Sequence, residues 1–246
     1  MESKGLSLLL AFCIILGVWQ IGATILQMDI FPTPYKVFMA FFENLSKDLG
    51  KHFLASLKRV VISIFFAIAI ASPLGLIIGQ LDSLNRLFSP FIYLMYPVPK
   101  VVFVPVIILF FGMGDFAKIL MIFIILFFQI LVLTRDSATN LRPEIIISIK
   151  SLGAKRRHLF LHVYLPFCLP AVFTGIRQSI GTAIAVLYVA ELFATKYGLG
   201  YYIYLTGSTL FDYPSMYAGI FAMGILGFGL YFVTDLLERI FCPWKF

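Results

Sequence analysis

Ile147-Ser-Ile-Lys-Ser-Leu-Gly-Ala-Lys-Arg-Arg-His-Leu-Phe-Leu-His-Val-Tyr-Leu-Pro166 decides how the rest of this chain is read. It is a basic, amphipathic island between two apolar runs. Lys150, Lys155, Arg156 and Arg157 crowd into it. Gly153 permits a bend between two short helices, because glycine accepts backbone angles other residues resist. Leu159, Phe160 and Val163 fall on one face of the second, a stripe that a groove on another protein could grip. Pro166 and Pro170 are expected to stop that helix and start the next span.

The flanks identify the solvent. Sixty-one per cent of the residues are hydrophobic and only 13 per cent charged; mean hydropathy is +0.99. Soluble chains carry about a quarter of their residues as charge. A transmembrane helix needs about 20 apolar residues. Six segments approach that: roughly Leu6–Leu26, Val60–Gln80, Pro90–Phe111, Phe116–Thr134, Leu169–Phe193 and Met216–Leu237. No long polar stretch remains for a soluble domain, so residues 1–246 read as one all-α, polytopic membrane domain. The first span follows Lys4 without a small-residue cleavage site and is expected to be retained. Residues 37–49 repeat apolar side chains at helical spacing and predict an amphipathic helix lying in the interface.

A basic loop between spans stays on the cytoplasmic side. With six spans, that places both termini inside. Ten basic residues then face inward and seven outward, five of the seven in the one long loop before span two. The net charge of +7 is explained this way, without nucleic acid.

The third span carries Pro97, Pro99, Lys100 and Pro105. Each proline removes a backbone donor, and the freed carbonyls require partners, so a broken helix belongs against a cavity. Tyr96, Lys100, Thr182, Tyr188 and Glu191 are the candidate pathway residues, with Glu191 one turn beyond Tyr188. Gln129 is expected to bond a neighbouring helix. Arg177 is expected to snorkel to the inner surface, and Ile124, in span four, to face lipid.

No GxxxxGK[ST] loop, nucleophilic triad or paired-carboxylate set occurs, so no catalytic residue is assigned. His158 and His162 are spaced i, i+4, but no third ligand is near and no metal site is assigned. Cys13, Cys168 and Cys242 are odd in number and widely spaced, which supports no disulfide framework.

Gly153, nine residues, then Val163-Tyr164-Leu165-Pro166 resembles the cytoplasmic coupling loop of ABC-importer permeases. Ile147, Ser148 and Ile149 stand where that family has Glu-Ala-Ala, and Glu144 is one turn away as a substitute. From about Leu26 onward the chain is similar to permeases for nitrate, sulfonates, taurine and related solutes. The similarity is carried by Phe31-Pro32-Thr33-Pro34, Ser56-Leu57-Lys58-Arg59-Val60, Pro73-Leu74-Gly75 and Tyr96-Pro97-Val98-Pro99. It continues through Gly175-Ile176-Arg177, Val189-Ala190-Glu191 and Gly198-Leu199-Gly200.

The resemblance implies a type I importer fold with six transmembrane helices, in an inner membrane. It implies a pair of permease subunits (a homodimer, or a close paralogue as second copy), two ATPase subunits and an extracytoplasmic solute-binding protein. No cofactor is then expected in this chain, ATP and Mg2+ belonging to the ATPase. Coupling would run through residues about 144–166, with Glu144, Ile147, Gly153, Ala154, Leu159, Phe160, Val163, Leu165 and Pro166 as contacts. A small oxyanion or sulfonate leads as solute. A neutral heterocycle such as a thiamine precursor is the alternative, and a standalone secondary transporter the rival from another class. Scarce acids at mid-membrane argue against the last.

Overall fold

Helix is the only regular element among the described residues, which are 2–193 and 195–245 of this computed structural model. Apolar surroundings demand that backbone polar groups be satisfied within a segment, and a helix does this. The chain forms α1 (Glu2–Leu26), α2 (Pro34–Asn44), α3 (Gly50–Gln80), α4 (Asp82–Met95), α5 (Val104–Phe111) and α6 (Asp115–Thr139). Then follow α7 (Pro143–Ser151), α8 (Arg156–Leu159), α9 (Leu165–Leu192), α10 (Leu199–Tyr204) and α11 (Tyr213–Phe241).

Four helical stretches are long and apolar enough to cross a membrane: Pro34–Gln80, Asp115–Thr139, Arg156–Leu192 and Tyr213–Phe241. A fifth forms if Asp82–Met95 and Lys100–Phe111, bent by 79°, make one broken span. The apolar part of α1, Leu10–Leu26, is shorter. Helix α1 as a whole runs for 25 residues, Glu2–Leu26.

Two compact units share these helices: Met1–Ser56 with Thr195–Ile225, and Leu57–Ala194 with Leu226–Phe246. In the first, the predicted interfacial helix is not separate. A π-turn over Leu45–Leu49 carries α2 straight into α3. Part of its apolar face is covered by protein, since Phe38 and Phe41 each meet the Phe221 ring edge-on at 5.2 Å, while Phe42 stays exposed. The Trp19 indole donates to Pro32 O at 3.0 Å and fixes the turn after α1. Gly198, at φ 144°, opens α10. Its N–H donates to His52 Nδ1 (3.0 Å) and the next N–H, of Leu199, to Ser56 Oγ (2.8 Å).

In the second unit α6 is the packed axis. A Cβ on Gly79 would stand 2.5 Å from Arg135 O, and one on Gly75 2.8 Å from Leu131 O. One on Gly175 would stand 3.2 Å from Ile130 Cα. Small residues let membrane helices approach this closely, so α3 and α9 press against α6. Ile124 accordingly packs against the cluster of Val104, Ile107, Met121, Val186 and Ala190, which corrects its expected lipid-facing place. Only Leu81 separates α3 from α4. Asp82 favours that helix start through the dipole, and Asn85 and Ser89 accept from Arg135 of α6 at 2.8 and 2.5 Å.

Candidate functional site

The break in the third span creates the site. Pro97 and Pro99 lack backbone donors, and the helix stops at Met95, resuming as a single 3₁₀ turn at Lys100–Phe103. A cleft of about 370 Å³ opens where the chain bends. Tyr96, Lys100 and Thr182 line it, together with Phe128, Gln129 and Gln178. The Tyr96 hydroxyl donates to Gln129 Oε1 at 3.2 Å, and Gln129 Nε2 donates to Gln178 Oε1 at 3.1 Å. Lys100 Nζ donates to Tyr96 O at 2.5 Å and lies 5.0 Å from the Phe128 ring centroid and 5.5 Å from that of Tyr96.

Tyr188 and Glu191 do not line this cleft, and helical geometry explains why. Six residues beyond Thr182 is about 120° away around a 3.6-residue turn, and nine residues is half a turn out of phase. Glu191 is fully buried and accepts from Arg59 Nη1 at 2.5 Å. Arg59, only 4 % exposed, also donates through Nε and Nη2 to Asp115 Oδ1, at 2.9 and 2.6 Å. Three helices, α3, α6 and α9, are tied there. Lys118 is buried beside them and donates to Met113 O at 2.7 Å.

Arg59 and Asp115 carry no local sequence signal for this role: they stand 56 residues apart, and both read as charges at span ends. Arg177 is likewise paired rather than snorkelling. It binds Asp235 at 3.3 Å and the buried Glu238 more closely still.

At the other end of α9 lies the basic loop. Gly153 adopts φ 84° and turns the chain after α7, with its N–H donating to Lys150 O at 2.9 Å. Leu159 does not face outward: it is 5 % exposed and packs with Leu76, Ala138, Leu141, Tyr164 and Cys168. Phe160, Val163 and Leu165 lie against the same cluster. The predicted outward stripe is thus turned into the chain's own core.

Pro166 and Pro170 do not stop the helix either. A π-turn at Phe160–Tyr164 absorbs the missing donor at Pro166, and the helix continues to Leu192. The most exposed apolar groups of the loop are instead Ile147, 62 % exposed, and Leu152, 85 % exposed, a residue the sequence pattern did not single out. Glu144 is exposed in the first turn of α7, where an acid suits the helix dipole. Ala154 is half-buried, and its N–H donates to Ile149 O at 3.4 Å.

Apolar helices of spanning length, a polar-lined cleft at a broken span and an exposed basic loop fit a membrane transport component. Residues 71–245 match the family described as binding-protein-dependent transport system inner membrane component. The chain belongs to that family and is a multi-pass, inner-membrane permease of an ABC importer.

Among its relatives, the taurine transport system permease protein of Escherichia coli is 31 % identical over 196 residues, covering 80 % of this chain and 71 % of that protein. The formylaminopyrimidine transport permease protein of Halalkalibacterium halodurans is 26 % identical, covering 96 % and 94 %. The putative aliphatic sulfonates transport permease protein of Bacillus subtilis is 27 % identical, covering 96 % and 87 %. A chain of the inward-facing MetNI methionine ABC transporter shares the fold, with a TM-score of 0.66 and 20 % identity over 81 % of this chain and 98 % of that one.

Proposed function

We propose that this chain, a single transmembrane domain over residues 1–246, forms half of a translocation pathway. The other half is a second copy or a close paralogue. Two ATPase subunits engage the basic loop, and both termini lie on their side of the membrane. A solute-binding protein delivers solute from the opposite side. ATP and Mg2+ are held by the ATPase, and rigid-body movement of helices alternates access to the pathway.

The observation that carries the pathway reading is the 79° break between α4 and the turn at Lys100, which opens a polar-lined cleft among apolar helices. Residues about 144–166 carry the coupling. Glu144, Ile147 and Leu152 offer the contact surface. Gly153, Ala154, Leu159, Phe160, Val163, Leu165 and Pro166 hold the loop in shape and join it to α9. An exposed apolar pair with a basic rim fits a groove on a partner.

The solute is a small oxyanion or sulfonate, a reading supported by the taurine and aliphatic-sulfonate relatives. The formylaminopyrimidine relative supports the second reading, a neutral heterocycle. ATP-dependent uptake of taurine and of formylaminopyrimidine into vesicles bearing the assembled transporter separates the two. Leu152→Asp is expected to weaken ATPase association by about tenfold or more, since a charge enters an apolar contact. Co-purification in detergent measures it, and undiminished ATPase recovery would exclude Leu152 from the interface.

A further inference from the structure

The cleft at the broken span contains a cation with no counter-ion. Lys100 is not among the salt-bridged residues, and no Asp or Glu lines the cleft among the described residues. This sets Lys100 apart from Arg59 and Arg177 of the same unit, each of which meets two carboxylates. An ammonium carries three donors. One is spent on Tyr96 O, which leaves two.

The amides add to the same polarity. Tyr96 donates to Gln129, and Gln129 donates to Gln178. The chain of bonds therefore ends on the amide nitrogen of Gln178, whose N–H groups remain to be used. The Thr182 hydroxyl lies in the same lining. The rings of Tyr96 and Phe128 hold the ammonium in place from their faces.

We infer that Lys100, Gln178 and Thr182 form an anion-selecting site within the permease, fitted to a headgroup with one net negative charge and several acceptor oxygens, of the sulfonate type. Lys100 is its specificity-determining residue. Selection by charge is then not left to the binding protein alone. This rests on the cleft being part of the pathway, and the test below separates the failure of one claim from the failure of the other.

Thr182→Cys is introduced into the full chain carrying Cys13→Ser, since Cys168 and Cys242 are buried. Inner-membrane vesicles are treated with the anionic sulfonatoethyl and the cationic trimethylammonioethyl methanethiosulfonates. With Lys100 present, the anionic reagent is expected to gain over the cationic one, relative to their rates with a free thiol. Lys100→Gln should lower that ratio by on the order of tenfold, and Lys100→Arg should keep it, because a nearby unit charge acts oppositely on the two reagents. Independently, methanesulfonate should slow labelling of the Lys100 chain, while tetramethylammonium should not.

A ratio unmoved by Lys100→Gln, or equal protection by both ions, overturns the anion site and leaves the pathway standing. If neither reagent reaches the thiol of the Thr182→Cys chain, the pathway reading falls and this inference falls with it.

Discussion

Two of the polar sites on helix α9 are built in opposite ways. Near its far end Glu191 is fully buried and locked to Arg59, with Asp115 on the other side of the guanidinium. About 13 Å back along the helix, Thr182 faces a cleft whose only cation, among the described residues, has no carboxylate partner. Burying a charge is costly unless it is paired. The first site meets that cost inside the chain and so fastens α3, α6 and α9. The second leaves its charge uncompensated at an opening, where an anion from outside would complete it. Pairing, more than charge or depth, separates the scaffold from the proposed pathway here.

The sharpest way to break this contrast is to unpair the buried site. Glu191→Ala takes away the buried carboxylate of Arg59, which then keeps only the more exposed Asp115, and breaking a buried pair costs about 3–5 kcal/mol. Thermal unfolding in detergent should show it; an unfolding midpoint equal to the parent's would mean that the pair is not structural. Somewhat smaller is the effect of emptying the core under the basic loop. Leu159→Ala should cost about 2–4 kcal/mol in the same measurement, and an unchanged midpoint would return Leu159 to the surface. Smallest is Asp115→Asn. Its side chain is 55 % exposed, so loss of this half of the network should cost no more than about 1 kcal/mol. If Asp115→Asn proved as damaging as Glu191→Ala, the distinction between the buried and the open partner of Arg59 would fail.

Much of this architecture is legible in the residues. Long apolar runs announce membrane helices, and Pro97 and Pro99 announce the break. Gly153 announces the turn between α7 and α8, where it adopts a positive φ. Helix faces are harder to read, because lipid and protein interior are both apolar. Composition alone therefore leaves α6 looking like a lipid-facing span. The signal was in Gly75, Gly79 and Gly175, which stand where α3 and α9 close on α6.

The stripe of Leu159, Phe160 and Val163 carries the same ambiguity, since an apolar face fits a partner or the chain's own core equally well. Leu76, far away in sequence, decides between them. Tyr188 and Glu191 share a face with each other but not with Thr182, a mismatch that counting 3.6 residues per turn from Thr182 reveals. The link from Arg59 to Glu191 crosses 132 residues, beyond any local pattern.

The π-turn at Phe160–Tyr164 has a mechanical consequence. Because it joins α8 to α9 without a joint, Arg156–Leu192 forms one helical stretch of 37 residues, about 55 Å long at 1.5 Å per residue. Turned as one body with the α3 and α6 helices fastened to it, such a rod would act as a lever. A rotation of about 10° around its middle swings each tip by about 5 Å, close to one helical turn. A push delivered beside Arg156 would thus reappear beside Glu191 as a stroke of similar size and opposite direction, with Thr174 at the fulcrum and Thr182 moving less than half as far as either tip.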